Sequence, residues 1–169
     1  MQFAINDKVI HPRHGAGRIT GIQHRGSTSE AKSYFVIDIP AQRLQVYVPS
    51  QQMEQMGVRM AISLAKVSGV LDTLRSAPDC LQDNFEERQR GLWAKLETGH
   101  VVQAAEVVRD LTWRRGQSHL TRKDSEYLSW GRQRLAAEMA LASDGEVSEA
   151  TRAIDAALAA GMESAAAQE

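Results

Sequence analysis

The period of the apolar residues changes near Pro49, and that change constrains the fold more than any other feature of the chain. Before it, "DKVIHP" (7–12), "GRITGIQHR" (17–25), "SYFVIDIP" (33–40) and "RLQVYVP" (43–49) are rich in β-branched and aromatic residues, and several alternate apolar with polar, as half-buried strands do. Gly15 and Gly17 punctuate the first turn, "GSTSEAK" reads as a polar loop and "PAQ" as a tight one. Short strands that meander in sequence cannot bury both faces as a flat sheet, so a small β-barrel is expected here.

After Pro49 the spacing becomes helical. In "SLAKVSGVLDTLRSA", Leu64, Val67, Val70 or Leu71, and Leu74 fall three to four apart. A second helix is predicted over about 84–98, with Asp83 as N-cap, Glu86 as its capping-box partner and Gly99 as terminator. A third covers about 100–115, with Val101, Ala104, Ala105, Val108, Leu111 and Thr112 in one stripe. A fourth starts at the N-cap Thr121 and carries Leu128, Leu135, Met139 and Ala142 on one side. A fifth covers about 147–160 with Ile154 and Leu158 inward, and the tail "SAAAQE" is expected to fray. The chain therefore reads as α+β in two domains: a small β-barrel over 1–60 and a compact all-α bundle over 61–162, followed by a frayed tail at 163–169. No internal repeat emerges.

With 169 residues and one cysteine, Cys80, the chain has neither an internal disulfide framework nor a multi-cysteine zinc site. No run of eighteen apolar residues and no signal-like start argues for membrane insertion or export, so a cytoplasmic protein is expected. The net charge of −1 conceals an uneven distribution. Residues 88–134 carry ten basic residues against five acids, whereas from 135 onward one Arg faces seven acids. A basic middle of this kind is compatible with a local nucleic-acid footprint, and equally with a solvated helical surface.

Catalytic patterns are weak. His11, His14 and His24 lie near one another in sequence, but no cysteine or carboxylate is spaced to complete a zinc set, and polar strand-end histidines are the simpler reading. Cys80 follows a Pro-Asp break without a base at hand, and "GAG" (15–17) is too short to cradle a phosphate. No enzyme, cofactor or metal is expected.

The stretch that demands an explanation is "CLQDNFEERQRGLWAKL" (80–96), where Phe85 stands in the first turn among polar and charged residues. It lies seven before Leu92 and eleven before Leu96, a spacing that fits packing onto its own domain, yet Arg88 and Gln89 interrupt that stripe. An aromatic beside cations at a helix start is also what wedges against an opened base step while phosphates are held. Spacing leaves both readings open.

Four segments together resemble the CarD/CdnL family of bacterial RNA polymerase-binding transcription regulators: "NDKVIHPRHG" (6–15), "VP" (48–49) with "MGVR" (56–59), "NFEERQR" (84–90) and "AEVVRDL" (105–111). The resemblance runs from Phe3 to about Leu158. It implies a Tudor-like N-terminal barrel that docks on the lobe of the polymerase β subunit by edge-strand pairing. It implies too a helical domain lying on promoter DNA just upstream of the bubble, where an aromatic wedge hinders its collapse. Arg25 matches a polymerase-contacting position, and Tyr47 stands where many members have a second contacting Arg. The wedge falls on Phe85, where the family usually has Trp, so the ring keeps its apolar face and loses the indole donor. Arg88 and Arg90 preserve basic matches, while Glu87 takes a position often held by Arg and Glu86 adds a further acid. Arg114, Arg115, Arg122 and Lys123 complete the expected DNA-binding set.

The expectation is a non-enzymatic, cytoplasmic, nucleoid-associated transcription regulator that tethers to polymerase and stabilises the open promoter complex. It would act as a monomer, with self-pairing through the edge strand as the other possibility. The competing reading is a polymerase-bound adaptor whose helical domain recruits another protein, with Phe85 buried.

Overall fold

The computed structural model describes residues 3–26 and 32–167, and these divide into two compact units, one ending at Ala61 and the other beginning at Ile62. The centre of the polar loop expected at 26–32 lies outside the described residues.

The first unit is an antiparallel sheet of β1 (Lys8–His11), β2 (Gly15–Arg25), β3 (Lys32–Ile39), β4 (Leu44–Pro49) and β5 (Arg59–Met60), in the order β4-β3-β2-β1-β5. Alternation built it: along β3, Phe35, Ile37 and Ile39 turn inward, and they meet Val9, Ile19 and Val48 in the core. Gly17 lies within β2, where a Cβ would sit 2.6 Å from the Asp38 carbonyl oxygen, so its bare backbone permits the strand contact. Gly15 takes a positive φ of 85° and makes the turn. An irregular register between Ile19 and Gly21 bends β2, and beyond it Ile22 and Arg25 lie in solvent. Among the described residues the order is open: β4 pairs only with β3 and β5 only with β1. β5 was not expected, because two residues carry no readable period.

The second unit holds five helices: α1 (Leu64–Arg75), α2 (Phe85–Glu97), α3 (Val101–Gln117), α4 (Arg122–Ser143) and α5 (Val147–Ala166). α3 is the central element and packs on α1, α2 and α4. It therefore buries Val107, Arg109 and Asp110 besides the expected stripe. At the α1/α5 crossing, Gly161 lies so close to α1 that a Cβ would be 2.9 Å from the Arg75 carbonyl oxygen. That contact, and alanine's high helix propensity, carry α5 on to Ala166, through the alanines of the tail expected to fray.

Two caps decide where the site stands. Thr121 caps α4 as expected, and Asp124 closes a capping box back to it. α2 is capped one residue later than expected: the Asn84 side chain accepts from Glu86 N at 2.9 Å and Glu87 N at 3.1 Å. Asp83 is diverted, its carbonyl accepting from Arg88 Nη1 and its carboxylate lying 3.6 Å from Arg114. Phe85 thereby becomes the first residue of α2.

Candidate nucleic-acid interface

On α2 the buried row is Arg88, Leu92 and Leu96, at i, i+4 and i+8. The position that seemed to break the apolar stripe belongs to it, filled by an arginine. Arg88 is only 4% exposed and donates through Nε (3.3 Å) and Nη2 (2.8 Å) to Asp124 of α4, and through Nη1 to the carbonyls of Gln82 (2.8 Å) and Asp83 (2.9 Å). Arg88 is thus corrected from a DNA contact to an internal tie, because its donors are spent inside the unit. Burial pushes the Asp124 carboxyl up, but the hydrogen bonds from Arg88 and Thr121 and the Arg88 charge outweigh it and hold its pKa below the ordinary value.

Phe85, whose spacing puts it on the same side of α2, is not buried with that row. It is 55% exposed, at the very start of a helix whose next turn is pinned by Arg88 and whose flank is fixed by Gln89 Nε2 donating to Thr121 Oγ1 at 3.0 Å. The ring is therefore not enclosed by its own unit.

The expected cations fare differently. The Arg88–Asp124 and Arg114–Asp83 contacts draw the start of α2, the end of α3 and the start of α4 to one end of the unit. Arg90, Arg115 and Lys123 are exposed and have no carboxylate partner among the described residues. Arg122 is exposed but engages Glu126 at 3.0 Å. Arg114 is mostly buried and lines a cavity with Pro78, Cys80, Asp83 and Asp110. Within that cavity the Arg114 Nε and Asp110 Oδ2 atoms are buried without a partner. Burial raises the Asp110 pKa, against the lowering influence of the hydrogen bond from Arg109. Arg109 and Lys95 are engaged internally, by Asp110 and Asp79, and by Glu106. The basic middle of the sequence is therefore partly a structural network, and its outward charge is smaller than a count suggests. Glu86 and Glu87 are exposed beside Phe85.

Sequence reasoning passed over an aromatic cluster on the same helices. Trp93 of α2, 43% exposed, stacks on Tyr127 (ring centroids 5.8 Å apart) and meets Trp130 (6.0 Å), both on α4. The guanidinium of Arg134 lies 4.0 Å from the Trp130 ring centre and Lys123 Nζ 5.9 Å from that of Tyr127. The available signal was the i, i+4, i+7, i+11 row of Lys123, Tyr127, Trp130 and Arg134.

In the sheet unit, Arg25 and Tyr47 come together: the Arg25 guanidinium lies 4.6 Å from the Tyr47 ring centre and 6.0 Å from that of Tyr34. Tyr47 is on β4, whose outer edge is unpaired within the sheet. His11 is buried, its Nδ1 accepting from the backbone N–H groups of Arg13 and His14, while His14 contacts Gln42. Among the described residues no three His, Cys, Asp or Glu side chains converge as metal ligands, and no helix is long and apolar enough to cross a membrane.

Comparison with known proteins agrees with this division. Residues 3–62 match the CarD-like/TRCF RID domain, and residues 69–155 match the family described as CarD, C-terminal domain. YdeB of Bacillus subtilis (strain 168), named as a candidate transcription factor, is 23% identical over 137 residues, covering 81% of this chain and 90% of its own length.

Proposed function

The chain belongs to the CarD family of transcription factors, with an N-terminal unit of an RNA polymerase-interacting domain family, and from that premise we propose that it stabilises the open promoter complex. It docks on the polymerase β subunit through the edge strand β4, with Arg25 and Tyr47 at the contact, and sets Phe85 against DNA at the upstream fork of the bubble. Edge-strand docking uses the backbone groups that β4 leaves unpaired. No chemistry is performed and no cofactor takes part. A protein that contacts the melted fork better than closed duplex shifts the equilibrium by the difference of its two affinities. The work is done in the cytoplasm by one copy per polymerase.

The observation that carries this reading is Phe85: more than half exposed, first in its helix, with the next turn anchored by a buried ion pair. Arg90, Arg115 and Lys123 supply cations for phosphates, and each phosphate contact makes binding salt-dependent. Glu86 and Glu87 oppose that attraction, so the helical unit depends on the docked unit for its local concentration. The adaptor reading required a buried Phe85, and the exposed ring counts against it.

The test is Phe85→Ala in a promoter-complex dissociation assay. Polymerase binding stays intact while the open-complex lifetime falls about tenfold or more, equivalent to about 1.4 kcal/mol or more of lost wedge contact. An unchanged lifetime overturns the wedge.

A further inference from the structure

On α2, Phe85, Gln89 and Trp93 follow one another at i, i+4 and i+8; on α4, Lys123, Tyr127, Trp130 and Arg134 form a matching row. The two rows run in the same direction, since Arg88 meets Asp124 and, further along both helices, Trp93 meets Tyr127 and Trp130. From Lys123 to Arg134 the row spans about 16 Å at roughly 1.5 Å per residue. Tyr127 and Trp130 are partly buried against the core, and Trp93, 43% exposed, lies on them as an outer layer.

We propose that Trp93, Tyr127 and Trp130 form a stacking platform for unpaired nucleic-acid bases, with Lys123 and Arg134 holding the strand's phosphates. The inference rests on the reading that the helical unit lies at the opened fork, and it adds a second contact in line with Phe85. Charge selects the occupant. Arg90 is exposed on α2 and Lys123 and Arg134 bracket the rings; of the exposed acids on these two helices Glu126 is engaged by Arg122, Glu86 and Glu87 flank Phe85, and Glu97 lies one turn beyond Trp93. Aromatic rings interleaved with cations suit a strand whose bases each offer a π-face and whose backbone is anionic.

The three indole N–H groups make the test direct, because Trp113 lines the cavity beside Pro78 and Arg114 and serves as the internal control. Hexathymidylate titrated into the ¹⁵N-labelled full chain at low salt moves the Trp93 and Trp130 indole resonances and leaves that of Trp113 in place. Its apparent affinity falls about sevenfold between about 50 and 200 mM salt, as two phosphate contacts require. Trp93→Ala, read at Trp130, weakens binding at least about fivefold, and Trp93→Phe restores most of it.

Indoles that do not move overturn the proposal. So does hexaglutamate moving them as far, since charge alone would then be read; in either case a protein surface is the occupant that fits. If Phe85→Ala leaves open-complex lifetime untouched while Trp93 still responds to hexathymidylate, the fork reading fails and the platform stands. If Phe85→Ala shortens the lifetime while the indoles stay still, the platform alone is lost.

Discussion

At the scale of single residues, Arg88 decides what Phe85 can do. A guanidinium with five donors reaches Asp124 Oδ2 and two loop carbonyls at once, which fixes the first turns of α2 and α4 together. Asp124→Asn would leave the buried cation without its carboxylate and costs about 3 kcal/mol or more at neutral pH. The pH dependence follows from the depressed Asp124 pKa. A folded-state value below the ordinary 3.8 gives stability that is complete above that pH and is lost as pH falls from there through the folded value. The stability difference between wild type and Asp124→Asn, measured by urea denaturation, should therefore shrink below about pH 3.8 and be constant above about pH 5. Asp110 behaves in the opposite sense. Burial raises its pKa, so its contribution is complete below 3.8 and is lost as pH rises through the folded value. Asp110→Asn at neutral pH should consequently cost less than Asp124→Asn in the same measurement. The Arg88–Asp124 pairing was not legible in the sequence, where Arg88 reads as a surface cation because its partner lies thirty-six residues away.

At the scale of elements, existence and type were readable and the ends were not. Four strands and five helices follow from periods of two and three to four residues. The cap of α2 moved from Asp83 to Asn84 because Asp83 was drawn into contacts with Arg88 and Arg114. α5 outran its expected end because it packs along α1 at Gly161. The glycines test this account in opposite directions. Gly161→Ala forces a Cβ against the Arg75 carbonyl and should destabilise the helical unit by about 1–3 kcal/mol. Gly91→Ala, in the middle of α2 with nothing within 4 Å of the new methyl group, should stabilise it by about 0.5–1 kcal/mol through helix propensity. Thermal unfolding followed by far-UV circular dichroism distinguishes the two shifts.

At the scale of the whole molecule, the proposed activity divides between two units: one supplies local concentration and the other the contact that acts. The division predicts two kinds of loss. Arg25→Ala with Tyr47→Ala weakens docking, so open-complex lifetime falls at low protein concentration and recovers as concentration rises. Phe85→Ala is not rescued by any concentration, because the docked protein lacks the wedge. Lifetimes measured across a hundredfold concentration range should separate the two variants.

The sequence alone determined that the chain is α+β, that its grammar changes near Pro49, and that Phe85 stands in the first turn of a helix, because these depend on local periodicity and capping chemistry. Its motifs also carried the family, which the matches over residues 3–62 and 69–155 bear out. Tertiary structure alone decided which side of that helix faces outward, which cations remain for a partner, and that Trp93 meets Tyr127 and Trp130. The physical reason is that exposure and ion pairing are set by neighbours distant in sequence, and spacing along one helix places a residue on a row without saying what lies across from it.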